Sequence, residues 1–186
     1  MEAATRLFAR KGYYATSIAD LSASVEVTKG ALYHHFENKE AIFFAVIEKI
    51  RTTWTKIVAR DVLKSRDALE RLSRLVDNHA RLIVENESFC LVVNALMMEM
   101  DGVNPAFLSA LYQIYIELAG FIEQIIRKGQ DSHQIRSDID PRLMALTTVG
   151  MLRGIGCSRP IFQRMDVDFQ ALMETLKKVL IASLKP

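Results

Sequence analysis

Residues 28–36 read TKGALYHHF, and this stretch decides how the first part of the chain is interpreted. The hydroxyl of Thr28 can accept a hydrogen bond from the first turn of a helix, so Thr28 is a good N-cap. Gly30 and Ala31 follow at positions where a core helix would carry larger side chains. Four consecutive ring side chains then complete the stretch. The sequence therefore predicts a short helix that ends near His34 and has one slender face.

A second short helix is predicted directly before this stretch. Ser17 can cap it, and Asp20 three residues later completes a capping box. An earlier helix ends at Gly12, because glycine readily adopts the left-handed conformation that closes a helix. Two short helices joined by a tight turn and braced by a third form a helix-turn-helix unit, here at about residues 17–36. Such a unit places its second helix in the major groove of DNA.

The second helix of this unit supplies most of the candidate DNA contacts. Its slim face lets the backbone approach the bases, while the lysine and the capping threonine are placed to reach base edges or phosphates. The tyrosine and the first histidine flank the groove, and a lysine at the start of the next helix can meet a phosphate. Residues 1–50 hold six Lys/Arg and six Asp/Glu, so binding depends on placement and not on net charge. The candidates are Thr28, Lys29, Gly30, Ala31, Tyr33, His34 and Lys39.

The remaining segments show the 3.6-residue period of amphipathic helices, and none shows sustained alternation. The predicted fold class is therefore all-α. We predict that residues 1–46 form the DNA-binding domain and that residues 47–186 form a helical domain for ligand binding and dimerisation. Further helices are predicted from a cap at Asn38 to about residue 63, then over residues 67–86, through FCLVVNALMMEM, from 105 to about 129, from 141 to about 156, and over 168–184. Residues 101–105 are predicted to interrupt the helices.

The second domain contains residues suited to a small apolar effector. Methionine and aromatic side chains adapt to varied ligand shapes. His79 and Asn94 lie on otherwise apolar stripes, where polar groups need partners that a ligand can supply. The alternative is that the same side chains fill an ordinary core. The candidates for the effector site are Trp54, His79, Asn94, Met97, Met98, Tyr112, Tyr115 and Phe121.

The last two predicted helices are candidates for a homodimer interface. The first of them carries Gly150, Gly154 and Gly156, which let a neighbouring helix approach closely. The final helix has a continuous apolar side that would complete a four-helix interface between two subunits. The alternative is that this side belongs to the core of a single subunit.

Composition limits the class of protein. The chain has 186 residues, of which 50% are hydrophobic and 25% charged, with a formal net charge of +2. Two distant cysteines do not form a zinc-binding pattern, and we expect no metal and no cofactor. No apolar run reaches the length of a membrane span, and the start lacks a signal peptide, so a cytoplasmic protein is expected. The first predicted helix begins abruptly, as if its N-terminus were short or trimmed.

Two longer runs strengthen the interpretation. The run LFARKGYYATSIADLSASVEVTKGALYHHFENKEAIF and the later RSDIDPRLMALTTVGMLRG resemble the TetR family of bacterial transcriptional regulators. The resemblance is specific over about 40 N-terminal residues, where GYYATSIADLS precedes TKGALYHHFENKE, and is one of helical layout afterwards. It implies a homodimer through the last two helices, and DNA contacts from Thr16, Ser17, Thr28, Lys29, Ala31, Tyr33, His34 and Lys39.

The turn of the helix-turn-helix departs from the family pattern. It reads VEVT, where the family often has glycine in second place. Glu26 must therefore adopt the turn without glycine's conformational freedom, and it places a negative charge near DNA.

The sequence thus predicts a ligand-responsive DNA-binding transcriptional regulator that is not an enzyme. We expect a repressor that binds double-stranded operator DNA and releases it when a small hydrophobic effector binds. One alternative is a helical protein-interaction module that has kept the fold and lost specific DNA binding. Another is an enzyme or metal carrier that uses His34, His35, His79 and His133, although no nucleophile motif or metal-ligand spacing accompanies them.

Overall fold

The computed structural model describes residues 1–101 and 104–186, without the side chains of Arg60 and Glu87. Within these residues the chain is helical and contains no strand, which confirms the all-α fold class. The helices are α1 (Glu2–Lys11), α2 (Ile18–Ser24), α3 (Lys29–His35), α4 (Lys39–Trp54), α5 (Arg60–Val62), α6 (Ala68–Glu85), α7 (Glu87–Met100), α8 (Pro105–Asp131), α9 (Pro141–Arg164) and α10 (Phe169–Leu184).

The predicted helices are present, with two differences in extent. The helix expected to run unbroken to about residue 63 instead changes to a π-helix at Thr55–Ala59, between α4 and α5. The helix from Pro141 continues past its predicted end and passes through Pro160 to Arg164. The predicted interruption at residues 101–105 lies partly outside the described residues.

The chain forms two compact units that interleave in sequence. Unit 1 contains residues 1–53 and 86–113, and unit 2 contains residues 54–85 and 114–186. Helix α7 and the start of α8 therefore belong to the same unit as the three N-terminal helices. A domain boundary at residue 46 stays a prediction.

Aromatic packing forms the centre of unit 1. Helix α1 packs against α7, and α2 contacts both α1 and α3. The rings of Phe43 and Phe107 are stacked with their centroids 4.1 Å apart, and Tyr13 meets each of them edge to face. Such ring pairs add to the stabilisation that comes from burial alone. This cluster fixes the turn after α1 against α4 and the start of α8.

Helix α6 is at the centre of unit 2. It packs against α9, α10 and the π-helix. The Asn78 side-chain amide donates to the carbonyl oxygen of Val58 at 3.2 Å, which ties α6 to the π-helix. Gly129 lies so close to its neighbours that an added Cβ would be 2.7 Å from the Cβ of Ala68. The end of α8 therefore packs closely against the start of α6, because Gly129 has no side chain at the point of contact.

The expectation about membrane segments needs a correction. By length and composition, α8 with its 27 residues is long and apolar enough to cross a membrane. A single helix of this kind is weak evidence for a span, because core helices of soluble proteins pass the same test. Several of its side chains are buried within the protein: Phe107, Leu111, Leu118, Ile122, Ile125 and Ile126.

Candidate DNA-binding surface and effector site

Helix α2 is fixed at its start by the predicted capping box. The Ser17 hydroxyl oxygen accepts from the backbone N–H of Asp20 at 3.0 Å, and the Asp20 carboxylate accepts from the Ser17 backbone N–H at 2.9 Å. Lys11 donates to the same carboxylate at 2.9 Å. The hydrogen bonds that Asp20 accepts from Lys11 and Ser17 hold the pKa of the Asp20 carboxyl group well below its usual range. The side chain of Ser17 is exposed beside these contacts, so it caps the helix and still faces solvent.

Helix α3 presents the predicted DNA-binding residues to solvent. The Thr28 hydroxyl oxygen accepts from the Ala31 backbone N–H at 3.1 Å, as expected for an N-cap. No residue of this seven-residue helix is buried, and the Tyr33 side chain is 52% exposed. Within 4 Å among the described residues, an added Cβ at Gly30 would meet only the Thr28 hydroxyl, at 3.9 Å, so the outward face is slim. The exposed candidates are Thr28, Lys29, Gly30, Ala31, Tyr33 and His34.

The turn between α2 and α3 has the strain that the sequence indicated. Glu26 adopts a φ of 55°, in the left-handed region that favours glycine. The backbone N–H of Val27 donates to the Ser22 carbonyl oxygen at 3.1 Å and closes the turn. Glu26 is exposed, so neither packing nor burial of its side chain offsets the strain.

Replacing Glu26 by glycine is therefore expected to stabilise the turn and strengthen DNA binding. Relief of the left-handed conformation contributes up to about 1 kcal/mol, and loss of a negative charge near phosphates adds to the binding free energy. Glu26→Gln removes the charge and keeps the strain, so comparing the two variants separates the effects. Thermal unfolding measures the change in stability, and DNA titration measures the change in affinity. Equal melting temperatures for Glu26→Gly and Glu26→Gln would contradict the strain argument.

Two further candidates make internal contacts. The Thr16 side chain is 0% exposed, and its hydroxyl donates to the Gly12 carbonyl oxygen at 2.6 Å. The Lys39 ammonium group donates to the carbonyl oxygens of Tyr13 and Thr16, both at 3.0 Å, and lies 4.3 Å from the centre of the Tyr13 ring. In this arrangement both side chains hold the turn between α1 and α2. Their contacts with DNA stay predictions.

Half of the effector candidates belong to unit 2. Trp54 and Phe121 meet edge to face, with ring centroids 5.9 Å apart. Among the described residues, the buried Trp54 indole N–H has no hydrogen-bond partner, and neither has either ring nitrogen of the buried His79. His79 is 7% exposed, and burial lowers its pKa from 6.5 to about 4, so its ring is neutral near pH 7. The Tyr115 ring lies 5.0 Å from the Arg153 guanidinium carbon.

The other effector candidates belong to unit 1 and differ in exposure. Asn94 and Met97 are half-buried on α7. Met98 is 75% exposed and Tyr112 is 44% exposed, so the expected apolar lining is not formed by these two side chains within unit 1. They were expected to line the site because thioethers and rings adapt to varied ligand shapes, which does not determine the side of the helix on which they lie. Contact between these four residues and an effector stays a prediction.

The sequence reasoning missed the contacts of Glu99. Its carboxylate accepts from the backbone N–H of Tyr13 at 2.6 Å and from that of Tyr14 at 2.7 Å. A lone acid at the end of the methionine-rich helix was the one available signal, and it did not indicate a partner 86 residues earlier. No group of three or more His, Cys, Asp or Glu within the described ranges could hold a metal ion.

Two family models match this chain. Residues 1–46 match the model for bacterial regulatory proteins of the tetR family, and residues 68–175 match the tetracyclin repressor-like C-terminal domain. The HTH-type transcriptional repressor DhaR of Mycobacterium sp. (strain GP1) is 26% identical over 188 residues, which cover 96% of this chain and 93% of that protein.

Two solved structures illustrate the similarity in fold. AibR in complex with isovaleryl coenzyme A and operator DNA is 25% identical with a TM-score of 0.69, covering 83% of this chain and 82% of AibR. The regulator PfmR from Thermus thermophilus has a TM-score of 0.79 at 24% identity, covering 100% of this chain and 98% of that chain. The chain therefore belongs to the TetR family of bacterial regulators, which are DNA-binding transcriptional regulators, function as dimers and are not a class of enzymes.

Proposed function

We propose that this regulator is a cytoplasmic repressor that holds its operator with the exposed face of α3 and releases it when an amphipathic effector binds. The DNA-binding part of the proposal rests on one observation: α3 is a capped, slim helix on which Lys29 and Tyr33 are exposed. Lys29 and Thr28 reach base edges or phosphates, while Tyr33 and His34 contact phosphates beside the groove. Ser17 adds a contact from the start of α2.

The surface of α9 supports dimerisation through the last two helices. Gly150 and Gly154 are exposed, and a Cβ on either would meet nothing within 4 Å among the described residues. Their slimness therefore serves no close packing within the subunit that the structure describes. Large exposed apolar side chains lie on the same two helices, as expected for a face covered by a second copy. They are Leu143, Leu146 and Ile161 of α9 and Val179 of α10.

Unpaired buried nitrogens indicate the chemistry of the effector. A buried polar group without a partner is costly, and a ligand that pairs with it gains that free energy on binding. The Trp54 indole can only donate, and neutral His79 donates from one ring nitrogen. We therefore expect an effector with an apolar body and a hydrogen-bond acceptor such as a carbonyl oxygen. The thioester of an acyl coenzyme A, the type of ligand bound in AibR, has both features.

The π-helix gives the effector a route to the DNA-binding helices. π-helical turns are rare and often lie at functional sites. This one begins directly after Trp54 and is tied to α6, the helix that carries His79, by the bond from Asn78 to Val58. An effector that binds better to one arrangement of this segment would shift α4, which begins at Lys39. Such a shift would change the spacing of the two recognition helices in a dimer and weaken operator binding.

Selection of genomic DNA fragments tests the proposal. The wild-type protein should retain one preferred sequence, bind it as two chains per site and lose affinity steeply between about 50 and 200 mM salt. Isovaleryl coenzyme A and longer acyl coenzyme A compounds are then added as probes, with free coenzyme A as the control. Release by an acyl compound supports an acceptor-bearing effector. Flat, weak binding to all fragments would instead identify a protein-interaction module.

A further inference from the structure

A single carboxylate joins α7 to the turn that precedes the helix-turn-helix. The two oxygens of Glu99 accept from the successive backbone N–H groups of Tyr13 and Tyr14, at 2.6 and 2.7 Å. Hydrogen bonds to an ionised acceptor are shorter and stronger than neutral ones. The carboxylate therefore holds the donor side of this turn at two adjacent points.

Gly12 is shaped to admit this carboxylate. Its φ is 80°, a conformation that L side chains rarely adopt. An added Cβ would be 2.6 Å from one carboxylate oxygen of Glu99 and 3.0 Å from the other. The backbone conformation and the approach of Glu99 thus each require glycine at this position.

The acceptor side of the same turn is held by a positive charge. The Lys39 ammonium group donates to the carbonyl oxygens of Tyr13 and Thr16, both at 3.0 Å. Thr16 is followed by Ser17, the N-cap of α2. In the turn at residues 12–16, the Glu99 carboxylate therefore binds backbone N–H groups and the Lys39 ammonium group binds carbonyl oxygens. The last residue of the turn, Thr16, directly precedes the N-cap of α2.

We propose that Glu99 is a positioning residue for DNA binding: it sets the orientation of α2 and α3 without touching DNA. Glu99 lies within residues 68–175, the part that matches the C-terminal domain of the family, whereas Tyr13 and Tyr14 lie within the N-terminal match. The contact thus joins the two sequence domains inside one compact unit. Displacement of α7 along its axis would break both hydrogen bonds and release the turn.

The sign of the effect separates positioning from simple electrostatics. Removing a negative charge from a DNA-binding protein weakens repulsion by phosphates, so charge alone predicts equal or tighter binding. Loss of positioning predicts weaker binding. Because Glu99 contacts no phosphate in this proposal, its removal leaves the salt dependence of binding unchanged.

The experiment compares Glu99→Gln with wild-type protein on the DNA fragment that the wild type selects. The amide of glutamine has one oxygen, so it accepts from one N–H and turns its own N–H₂ toward the other. We expect operator affinity to fall about tenfold, with the slope of log affinity against log salt unchanged. Amide hydrogen exchange should become faster at Tyr13 and Tyr14 while protection in α6 and α10 is kept. Glu85→Gln, an exposed acid on α6, is the matched charge control and should bind within about twofold of wild type.

Two results would overturn the proposal. The first is operator affinity in Glu99→Gln that equals or exceeds wild type, with unchanged exchange at Tyr13 and Tyr14. The second is faster exchange throughout all helices, which would assign Glu99 to global stability. The exchange measurement needs no DNA, so it gives a result even when the wild type selects no preferred fragment.

Discussion

Replacing both Lys29 and Tyr33 with alanine is expected to lower operator affinity by about a hundredfold. Each side chain contributes a contact worth roughly 1–2 kcal/mol, or about tenfold in affinity. Both are exposed on α3, so their removal leaves the buried core of unit 1 unchanged. The melting temperature should therefore stay close to that of the wild type. Titration of the selected DNA fragment measures the loss.

The salt dependence of binding shows whether Lys29 and Tyr33 each form a charged contact with a phosphate. If Lys29 meets a phosphate, Lys29→Ala lowers the salt slope by about one, whereas Tyr33→Ala leaves the slope nearly unchanged. Lys178→Ala removes one exposed positive charge from α10, far along the sequence from the helix-turn-helix, and serves as the control. Unchanged affinity in the double variant would show that α3 is not the recognition helix.

Acidification is expected to destabilise the protein through His79. In the folded state its pKa is lowered from 6.5 to about 4 by burial, so the unfolded chain binds a proton more readily. The stabilising contribution is complete above about pH 6.5 and is lost as the pH falls through about 4, where the folded state also becomes protonated. This difference corresponds to about 3 kcal/mol of unfolding free energy. Urea denaturation at a series of pH values from about 7 to about 4 measures it.

Matched variants assign this pH dependence to one ring. His79→Leu should lose the pH-dependent part, because the buried titrating group is gone. It should also lose the response to an acceptor-bearing effector. His133→Asn serves as the control, since His133 is exposed with a φ of 58° and asparagine tolerates that conformation. If His133→Asn flattened the pH profile and His79→Leu did not, the assignment to His79 would be wrong.

Local signals predicted the N-terminal helices well. The caps at Ser17 and Thr28 depend on residues three positions away, so the sequence contains everything that forms them. The unusual turn at Glu26 was indicated by the resemblance to the family, which often has glycine at this position. The structure and the family models agree with the fold that these signals indicated.

Contacts between distant segments were not predictable in the same way. Lys39 was expected to face DNA, and nothing in its neighbours indicated that its ammonium group would meet the carbonyl oxygens of Tyr13 and Thr16. The π-helix at Thr55–Ala59 receives a hydrogen bond from the side chain of Asn78, which lies 20 residues after Val58. Met98 lies in a segment that is apolar nearly all round, so periodicity could not show its exposure, which depends on the faces that neighbouring helices cover. These features require the tertiary arrangement.

The paired charges around the turn at residues 12–16 set a rule for building chimeras. A C-terminal domain transplanted from a relative has that relative's residue at the position of Glu99. A transplanted DNA-binding domain likewise has its own residue at the position of Gly12. A hybrid with an acid at position 99 and a bulky side chain at position 12 would contain two intact parts. The bulky side chain would block the contact between the acid and the turn. Swaps between such regulators should therefore carry both positions from the same parent, even though they lie 87 residues apart.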